Sequence, residues 1–238
     1  MSQTESVGAR LTLDLWHPDC WAIGATDQTD GGILAYAIYE APRSTPETVN
    51  GLFTAYGETT AEVEACLEAV RDSPHSGTLL ELQEGFGHQR DAPGAVVREF
   101  LLEYDPADLI CPTLLEHGFV HSAPVRIEDG RERWRVSFTR ERSEIQSALD
   151  DVRCDADADV SIKSITAADS GPERPEHKLR VDSLTPAQRR VFEQARSEGY
   201  YEWPRGISTR ELAAQMDLSK TTLLEHLRTA ESKLLDPD

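Results

Sequence analysis

The sequence predicts an α+β domain in its first two thirds and a small all-α domain near its C-terminus. The first prediction rests on residues 10–166, where strand-like alternation of apolar and polar residues is mixed with segments of helical periodicity. The second rests on residues 184–235, where apolar stripes repeat at helical spacing behind Ser or Thr N-caps. Residues 167–183 are rich in Pro, Gly and charge, which is typical of a linker. We therefore expect domains at residues 1–166 and 184–238.

Composition limits the class of protein. The 238 residues are 39% hydrophobic, which suffices for a buried core. No apolar run approaches the roughly 18 residues of a membrane-spanning helix, and the N-terminus lacks the apolar segment of a signal peptide. We therefore expect a soluble, cytoplasmic protein without a membrane partner. The four cysteines are scattered without a C-x-x-C pair, so no disulfide framework is expected.

The net charge of −19 is concentrated before the all-α domain. From Ser183 onward the chain carries eight Lys or Arg and nine Asp or Glu, whereas the preceding residues carry 16 and 34. Only four of the 24 basic residues are lysines. This composition fits a protein of concentrated salt, as in halophilic archaea, where a Debye length of about 3 Å at about 1 M salt screens repulsion from DNA. The alternative is an acidic surface that binds a basic partner.

The first half of the α+β domain is expected to contain strands, one helix and a further strand. Residues 10–16 alternate Leu with polar residues, which predicts the first strand. Residues 17–32 are predicted as turn and strand. Thr59 and Glu62 form a capping box at the start of the helix. The remaining strands are predicted at residues 33–40, 52–57 and 78–82.

The second half has the order β-α-β-β-α-β, which is that of a ferredoxin-like unit. Its clearest signal is residues 128–131, where Asp-Gly suits a hairpin turn between two alternating strands. The first half is a degenerate version of the same order. We therefore expect two packed ferredoxin-like units, at residues 10–83 and 95–166, or one continuous domain. The elements of the second half are predicted as strands at 95–104, 119–127, 133–139 and 159–165, and helices at 105–118 and 141–152.

Few residues of the α+β domain suggest a metal or redox site. His17 and Cys20 have the H-x-x-C spacing of two metal ligands. Cys20 is also the best candidate for a redox-sensing thiol, although an adjacent carboxylate would raise its pKa and oppose this role. We expect no bound metal and no cofactor, with His17 and Cys20 as weak candidates. Zinc would need further ligands, and nothing in the sequence aligns the remaining candidates with this pair: Cys111, His117 and His121.

Other residues of this domain admit either a functional or a structural interpretation. Cys66, on the apolar face of its helix, is expected to be buried. The Gly-rich residues 85–94 could form a lid or only a connector. A phosphate-cradling loop, a nucleophile elbow and a helical pair of His are all absent from the sequence, so we do not expect an enzyme. Four aromatic residues could line an effector pocket or pack the core: Trp16, Trp21, Tyr36 and Tyr39.

Three helices are predicted in the all-α domain. The first begins at Thr185, which forms a capping box with Gln188. The second begins at Ser208, with Glu211 as its capping-box partner, and the third follows Ser219 as N-cap. Three aromatic residues are expected to cover the open end of this small core: Tyr200, Tyr201 and Trp203.

The third helix has two distinct faces. Its apolar residues recur at spacings of four, three and four and so share one face: Leu223, Leu227, Ala230 and Leu234. The opposite face is polar and is bordered at its start by Lys220 and Thr222: Thr221, Glu225, Arg228 and Ser232. A short helix, a tight turn and a helix with a polar outer face form a helix-turn-helix, whose second helix enters the DNA major groove. An αα-hairpin that binds nothing is the alternative.

The stretch LTPAQRRVFEQARSEGYYEWPRGISTRELAAQMDLSKTTLLEHLRTAESKLL resembles the helix-turn-helix of the archaeal bacterio-opsin activator family of transcription regulators. The segments GYY, ST-ELA and SK-TL-EHLR-AE carry this resemblance in combination. It implies a three- or four-helix DNA-binding module, similar to region four of bacterial sigma factors, in a sequence-specific regulator. It also places the base-reading surface at six residues: Ser219, Lys220, Thr221, Thr222, Glu225 and Arg228.

We therefore expect a sequence-specific transcription regulator with double-stranded DNA as its partner. Because one helix-turn-helix reads only a short sequence, we expect a homodimer on paired half-sites. The N-terminal domain would sense a small-molecule or redox effector, or mediate dimerisation. Two alternatives stay open: a protein that uses the helix-turn-helix fold to dock a transcription partner, and a small-molecule- or metal-binding protein.

Overall fold

The computed structural model describes residues 8–40, 48–82, 92–167 and 184–235. The chain divides at residue 173 into two compact units, a sheet-and-helix unit and a helical unit. The predicted linker, apart from its first residue, and most of the Gly-rich loop, with Phe86, His88 and Arg90, lie outside the described residues. None of the helices in the described ranges is long and apolar enough to cross a membrane.

The first unit contains a large antiparallel sheet and four α-helices in its described part. Two 3-10 turns, Pro106–Asp108 and Arg142–Glu144, precede the third and fourth helices. The helices are α1 (Trp21–Asp27), α2 (Thr60–Asp72), α3 (Cys111–Glu116) and α4 (Ile145–Asp155). The strands are β1 (Ala9–Trp16), β2 (Gly32–Glu40), β3 (Val49–Gly57), β4 (Ser76–Glu81), β5 (Val96–Tyr104), β6 (Phe119–His121), β7 (Val125–Glu128), β8 (Arg131–Phe138) and β9 (Asp159–Ala167).

The strands form one sheet in the order β4-β5-β3-β2-β7-β8-β1-β9, and each neighbouring pair is antiparallel. Strand β6 also pairs with β8, beyond the end of β7. Two contiguous ferredoxin-like units would keep β1 between β3 and β4, and β5 between β8 and β9. Instead β1 lies between β8 and β9, and β5 lies between β3 and β4. Each half of the sheet therefore contains the first strand of the other half.

Alternation along the strands determines which side chains enter the core. Leu11, Leu13 and Leu15 of β1 are buried, while the residues between them are only partly buried. Helix α2 contributes Cys66 to the same core, as predicted. Its N-cap Thr59 accepts a hydrogen bond from the Glu62 amide at 3.2 Å, so the predicted N-cap is confirmed. The Glu62 carboxylate accepts from the Glu58 amide and the Thr59 hydroxyl, so the reciprocal bond of the predicted capping box is replaced by these two contacts. The core of the first unit is therefore continuous beneath its helices.

Three segments differ from their predictions. The helix predicted at residues 105–118 is a 3-10 turn at Pro106–Asp108 followed by the separate six-residue helix α3. Residues 17–32, predicted as turn and strand, contain α1, which buries Trp21, Ala22, Ile23, Ala25 and Thr26 over seven residues. A short helix buried nearly all round has no apolar stripe, so periodicity does not reveal it. The predicted strand at 119–127 is interrupted after His121, and β6 and β7 pair with opposite ends of β8. The hairpin at residues 128–131 is confirmed, with Asp129 and Gly130 both at positive φ.

The second unit consists of α5 (Pro186–Ser197), α6 (Thr209–Gln215) and α7 (Lys220–Leu235) in its described part. Its capping boxes, at Thr185 with Gln188 and Ser208 with Glu211, are both formed. Gly199, at φ +72°, ends α5, and the Tyr200 amide donates to the Ala195 carbonyl at 2.9 Å, as in a Schellman motif. The three helices share one small core: Val191, Ala195, Tyr200, Ile207, Leu212, Ala213, Leu223 and Leu227.

Candidate functional site

Helix α7 presents one apolar face to the core and one polar face to the surface. Leu223, Leu227 and Ala230 are each at most 1% exposed, and Leu234 is half-buried. Thr221, Glu225 and Arg228 are exposed on the opposite side. Periodicity predicted this division because residues at helical spacing share a face. Helix α7 therefore has an uncovered polar strip within its own unit.

The turn before α7 determines where that strip begins. Asp217 adopts a positive φ of 54°, which reverses the chain after α6. The Leu218 amide donates to the Ala213 carbonyl at 2.9 Å, and the Leu218 side chain packs, partly buried, against the core. Because one Leu anchors the turn, the first residues of α7 are held next to the end of α6.

The six predicted base-reading residues are not equivalent in the structure. Ser219 accepts a hydrogen bond from the Thr222 amide at 3.0 Å, and the two hydroxyl oxygens are 2.8 Å apart. These two side chains therefore cap the helix and engage each other. Ser219 is exposed and Thr222 is half-buried, and the remaining four residues are exposed without a role in this cap: Lys220, Thr221, Glu225 and Arg228.

The three aromatic residues after α5 do not form one cover. Tyr200 is buried in the core, and Tyr201 is half-exposed, with its hydroxyl donating to Glu231 Oε1 at 2.9 Å. Burial and the Glu231 carboxylate raise the pKa of Tyr201, so the hydroxyl keeps its proton and the link to α7. Trp203 is 98% exposed, so the prediction that it covers the core is wrong.

A cavity of about 550 Å³ lies in the first unit, between α1, α3 and the sheet. Trp21 and Tyr36 line it, whereas Trp16 and Tyr39 are surface residues that are absent from its walls. The predicted aromatic pocket is therefore half correct in composition. Trp21 also packs edge-on against Phe53, with ring centroids 4.8 Å apart, so it belongs to the core as well.

The cavity lies where the pairing between strands β2 and β7 stops. Strand β2 pairs with β7 only through Ile33, Leu34 and Ala35. A bulge at Tyr36 then shifts the register of β2 against β3. Bulges bend a strand and re-aim its side chains. Past the bulge, β2 is no longer paired with β7, and Tyr36, Ala37 and Ile38 form part of the cavity wall.

Three potential metal ligands meet at the cavity wall: His17, Cys20 and Glu132. Their ligand atoms all lie within 4.8 Å of one another. Glu132 pairs with Leu15 in the sheet, which places it next to the turn that carries the other two. Asp19, at φ +62°, bends that turn so that His17 and Cys20 face the same point.

The other sequence candidates for metal ligation are divided. Cys111 and His121 line the same cavity. His117 lies outside the cavity wall, and its Nε2 lies 2.9 Å from Asp155 Oδ2 on α4. Glu132 was missed by sequence reasoning, although β8 carried a signal. Glu132 occupies the same alternation phase as Trp134, Val136 and Phe138, which makes it a carboxylate on the buried face of a strand.

Burial and charge set the chemistry of the thiols in this cavity. Burial, reinforced by the Glu132 carboxylate, raises the pKa of Cys20 well above its ordinary value. The same two causes raise the pKa of Cys111. Both thiols therefore keep their protons near neutral pH in the metal-free protein, which opposes the role of a redox-sensing thiolate.

Comparison with known proteins divides the chain in the same way. A family model described as an HTH DNA-binding domain matches residues 184–236, and the N-terminal domain model HVO_2525_N matches residues 10–158, more than half of the chain. The chain belongs to the HVO_2525_N family. Its C-terminal unit is a helix-turn-helix domain of the bacterio-opsin activator type, which confirms the resemblance found in the sequence.

Individual relatives match this HVO_2525_N family member mainly over its C-terminal part. The transcriptional regulator NarO of Haloferax volcanii is 49% identical over 55 residues, which are 23% of this chain and 26% of the relative. The bacterioopsin transcriptional activator of Halobacterium salinarum is 33% identical over 81 residues, 33% of this chain and 12% of the relative. A further Haloferax volcanii protein is 44% identical over 75 residues, 31% and 12% of the two chains. The chain therefore matches only about a quarter or less of each relative. All three come from halophilic archaea, in agreement with the acid-rich, lysine-poor composition.

Proposed function

We propose that this protein is a sequence-specific DNA-binding transcription regulator whose helix α7 lies in the major groove. The observation that carries the proposal is the exposed strip of Thr221, Glu225 and Arg228, opposite the buried leucines of the same helix. These side chains suit base edges, because Arg donates to guanine, Glu accepts from cytosine N4, and the Thr methyl contacts thymine. The names of NarO and the bacterioopsin activator, both regulators, support the same assignment.

The beginning of α7 is assigned to the phosphate backbone. Lys220 is exposed at the first position of the helix, where free amides and the helix dipole also favour an anion. Ser219 and Thr222 are proposed to set the position of this helix end, with their hydroxyls available to phosphate oxygens. Backbone contacts orient the module, and the strip further along α7 supplies the sequence preference.

The weak net charge of the C-terminal part shapes how it would bind. Eight basic and nine acidic residues leave little long-range attraction to DNA. In about 1 M salt the Debye length is about 3 Å, so distant charges contribute little either way. Affinity is therefore proposed to come from close contacts at α7.

Substitution of Arg228 tests the proposal. The binding site is first selected from random duplexes with the full-length wild type in molar salt. Arg228→Ala is then expected to cost about 1–3 kcal/mol on that site and to relax preference at one base pair. Arg196→Ala is the matched control, because Arg196 is exposed in the last turn of α5 and lies off the strip. Equal losses for the two variants, or no selected sequence, would refute the assignment of α7 as the reading helix.

The first unit is proposed to sense an effector and to mediate assembly into a homodimer. Its strand order supports two ferredoxin-like units that exchange their first strands, since each half has the expected order once β1 and β5 are interchanged. The cavity lies beside the junction of the two halves and draws walls from both, which suits a ligand that couples them. Sedimentation equilibrium in molar salt tests the dimer, and a monomer that binds paired half-sites no better than one would refute it.

A second candidate function is docking of a transcription partner, and Trp203 is the observation that favours it. A tryptophan at 98% exposure has no packing role in its own unit, and tryptophans often dominate protein interfaces. Under this alternative, Trp203→Ala abolishes transcriptional regulation in cells while the purified variant binds its DNA site normally. Loss of both functions in parallel would count against docking.

A further inference from the structure

The cavity of the first unit contains a set of side chains that sequence spacing did not assemble. Glu132 Oε1 lies 3.7 Å from His17 Nε2 and 3.6 Å from Cys20 Sγ. His17 and Glu132 are each 6% exposed, and Cys20 is partly buried. One nitrogen, one sulfur and one oxygen donor therefore converge in a largely apolar pocket.

These separations match a tetrahedral metal centre. Zinc binds His nitrogen and carboxylate oxygen at about 2.0–2.2 Å and Cys sulfur at about 2.3 Å, which places neighbouring ligand atoms roughly 3.3–3.7 Å apart. The Cys20–Glu132 distance of 3.6 Å lies within this range, the His17–Glu132 distance of 3.7 Å lies at its upper limit, and the third pair lies within 4.8 Å. Binding an ion would therefore draw His17 and Cys20 together, from within 4.8 Å to roughly 3.5 Å.

Neighbouring groups already orient two of the donors for this role. His17 Nδ1 lies 3.1 Å from the Pro18 carbonyl, which accepts a hydrogen bond from Nδ1–H, and the other ring nitrogen, Nε2, faces Glu132 Oε1 at 3.7 Å. Trp134 Nε1 donates to Glu132 Oε2 at 2.7 Å, which leaves Oε1 towards His17 and Cys20. Metal-ligating histidines and carboxylates in proteins are held by such outer hydrogen bonds.

We infer that His17, Cys20 and Glu132 bind one borderline-soft divalent cation of the zinc class, with the fourth coordination position open to the cavity. The thiol disfavours the hard ions magnesium and calcium, which take oxygen ligands. Three protein ligands with an open position are typical of zinc sites that exchange a ligand. This assignment reverses the expectation of no bound metal. Its regulatory meaning rests on the proposed sensing role of the first unit.

The ion would tie together three elements of that unit. His17 follows β1, Cys20 precedes α1, and Glu132 lies on β8. Strand β1 comes from the first half of the chain but lies between β8 and β9, in the half of the sheet formed by the second half of the chain. Metal binding would therefore brace the exchanged strand against α1 at the cavity wall.

Metal titration of the full-length protein tests the inference. The protein is stripped with a chelator and titrated with Co²⁺, whose thiolate complexes absorb in the near ultraviolet, and then with Zn²⁺. The expected result is one Co²⁺ per chain with a thiolate-to-cobalt band, displaced by Zn²⁺. Cys20→Ser is expected to abolish the band, and Glu132→Gln to weaken binding at least tenfold. Cys154→Ser is the matched control, because Cys154 is an exposed cysteine of α4 outside the cavity.

Several outcomes would overturn the site. No thiolate band in the wild type would do so, as would equal losses in the Cys20 and Cys154 variants. A loss with Cys111→Ser as large as that with Cys20→Ser would refute the three-residue ligand set. The Arg228→Ala variant separates this inference from the proposed function, since it should lose sequence-specific DNA binding and bind Co²⁺ like the wild type.

Discussion

Trp134 Nε1 donates a hydrogen bond to Glu132 Oε2 at 2.7 Å, and both side chains point from β8 into the cavity. The indole thereby fixes which carboxylate oxygen faces His17 and Cys20. Without this donor the carboxylate can rotate, and a buried oxygen loses its partner. The orientation of the inferred metal ligand is therefore set by its neighbour two residues along the strand.

Replacement of this donor tests its role. Trp134→Phe is expected to lower the affinity for Zn²⁺ by about 10–100-fold, since outer-shell hydrogen bonds have effects of that size. Competition with a chromophoric chelator measures the affinity. Trp16→Phe is the control, because Trp16 is 40% exposed and lies outside the cavity wall. Unchanged Zn²⁺ affinity in Trp134→Phe would show that the hydrogen bond from Trp134 is not needed to orient the Glu132 carboxylate.

The thiols should differ in reactivity according to their surroundings. Burial raises the pKa of Cys66 to about 11, and burial with the Glu132 carboxylate raises that of Cys20. At pH 8, below these raised values, both thiols stay protonated and react slowly. We expect iodoacetamide to label exposed Cys154 first in the metal-free native protein, as measured by mass spectrometry of peptides. Labelling of Cys20 as fast as that of Cys154 would instead indicate a reactive thiolate.

The apolar face of α7 should carry the stability of the helical unit. Leu227→Ala removes a side chain that is 1% exposed and should lower the free energy of unfolding by about 2–5 kcal/mol. Leu235→Ala, at 77% exposure on the same helix, should change it by less than about 0.5 kcal/mol. Urea unfolding followed by circular dichroism provides the comparison. Similar effects at the two positions would contradict the division of α7 into faces.

A buried polar network crosses the junction of the two sheet halves. The Tyr56 hydroxyl on β3 donates to Glu128 Oε2 at 3.0 Å and accepts from Arg126 Nε at 3.1 Å, both on β7. Arg126 and Glu128 are both buried. Loss of the Tyr56 hydroxyl would therefore remove one hydrogen-bond partner from each of these two buried charged side chains.

Tyr56→Phe should therefore destabilise the first unit by about 1–3 kcal/mol. Tyr39→Phe, on β2 at 55% exposure, is the matched control and should be nearly neutral. Thermal unfolding in molar salt distinguishes them. A neutral Tyr56→Phe would mean that water replaces the hydroxyl without cost.

Local features were predictable because their signals lie within a few residues. The capping boxes at Thr185 and Ser208 depend on a residue three positions away, and both are formed. The hairpin at residues 128–131 depends on two residues that tolerate positive φ. The short helix α1 was not predictable in this way, because burial on nearly all sides removes the contrast between faces.

By itself, the sequence determined the two faces of α7, the caps of the helical unit and the contrast in net charge between the acidic N-terminal part and the nearly neutral C-terminal part. Each of these features depends on spacing or composition alone. Only the tertiary structure decided that β1 and β5 exchange places in the sheet and that Glu132 joins His17 and Cys20. The physical reason is that alternation along a strand specifies which side chains enter the core, but not which strand lies alongside. Strand neighbours are chosen by contacts between residues far apart in the chain, and the candidate metal ligands meet only once those contacts have formed.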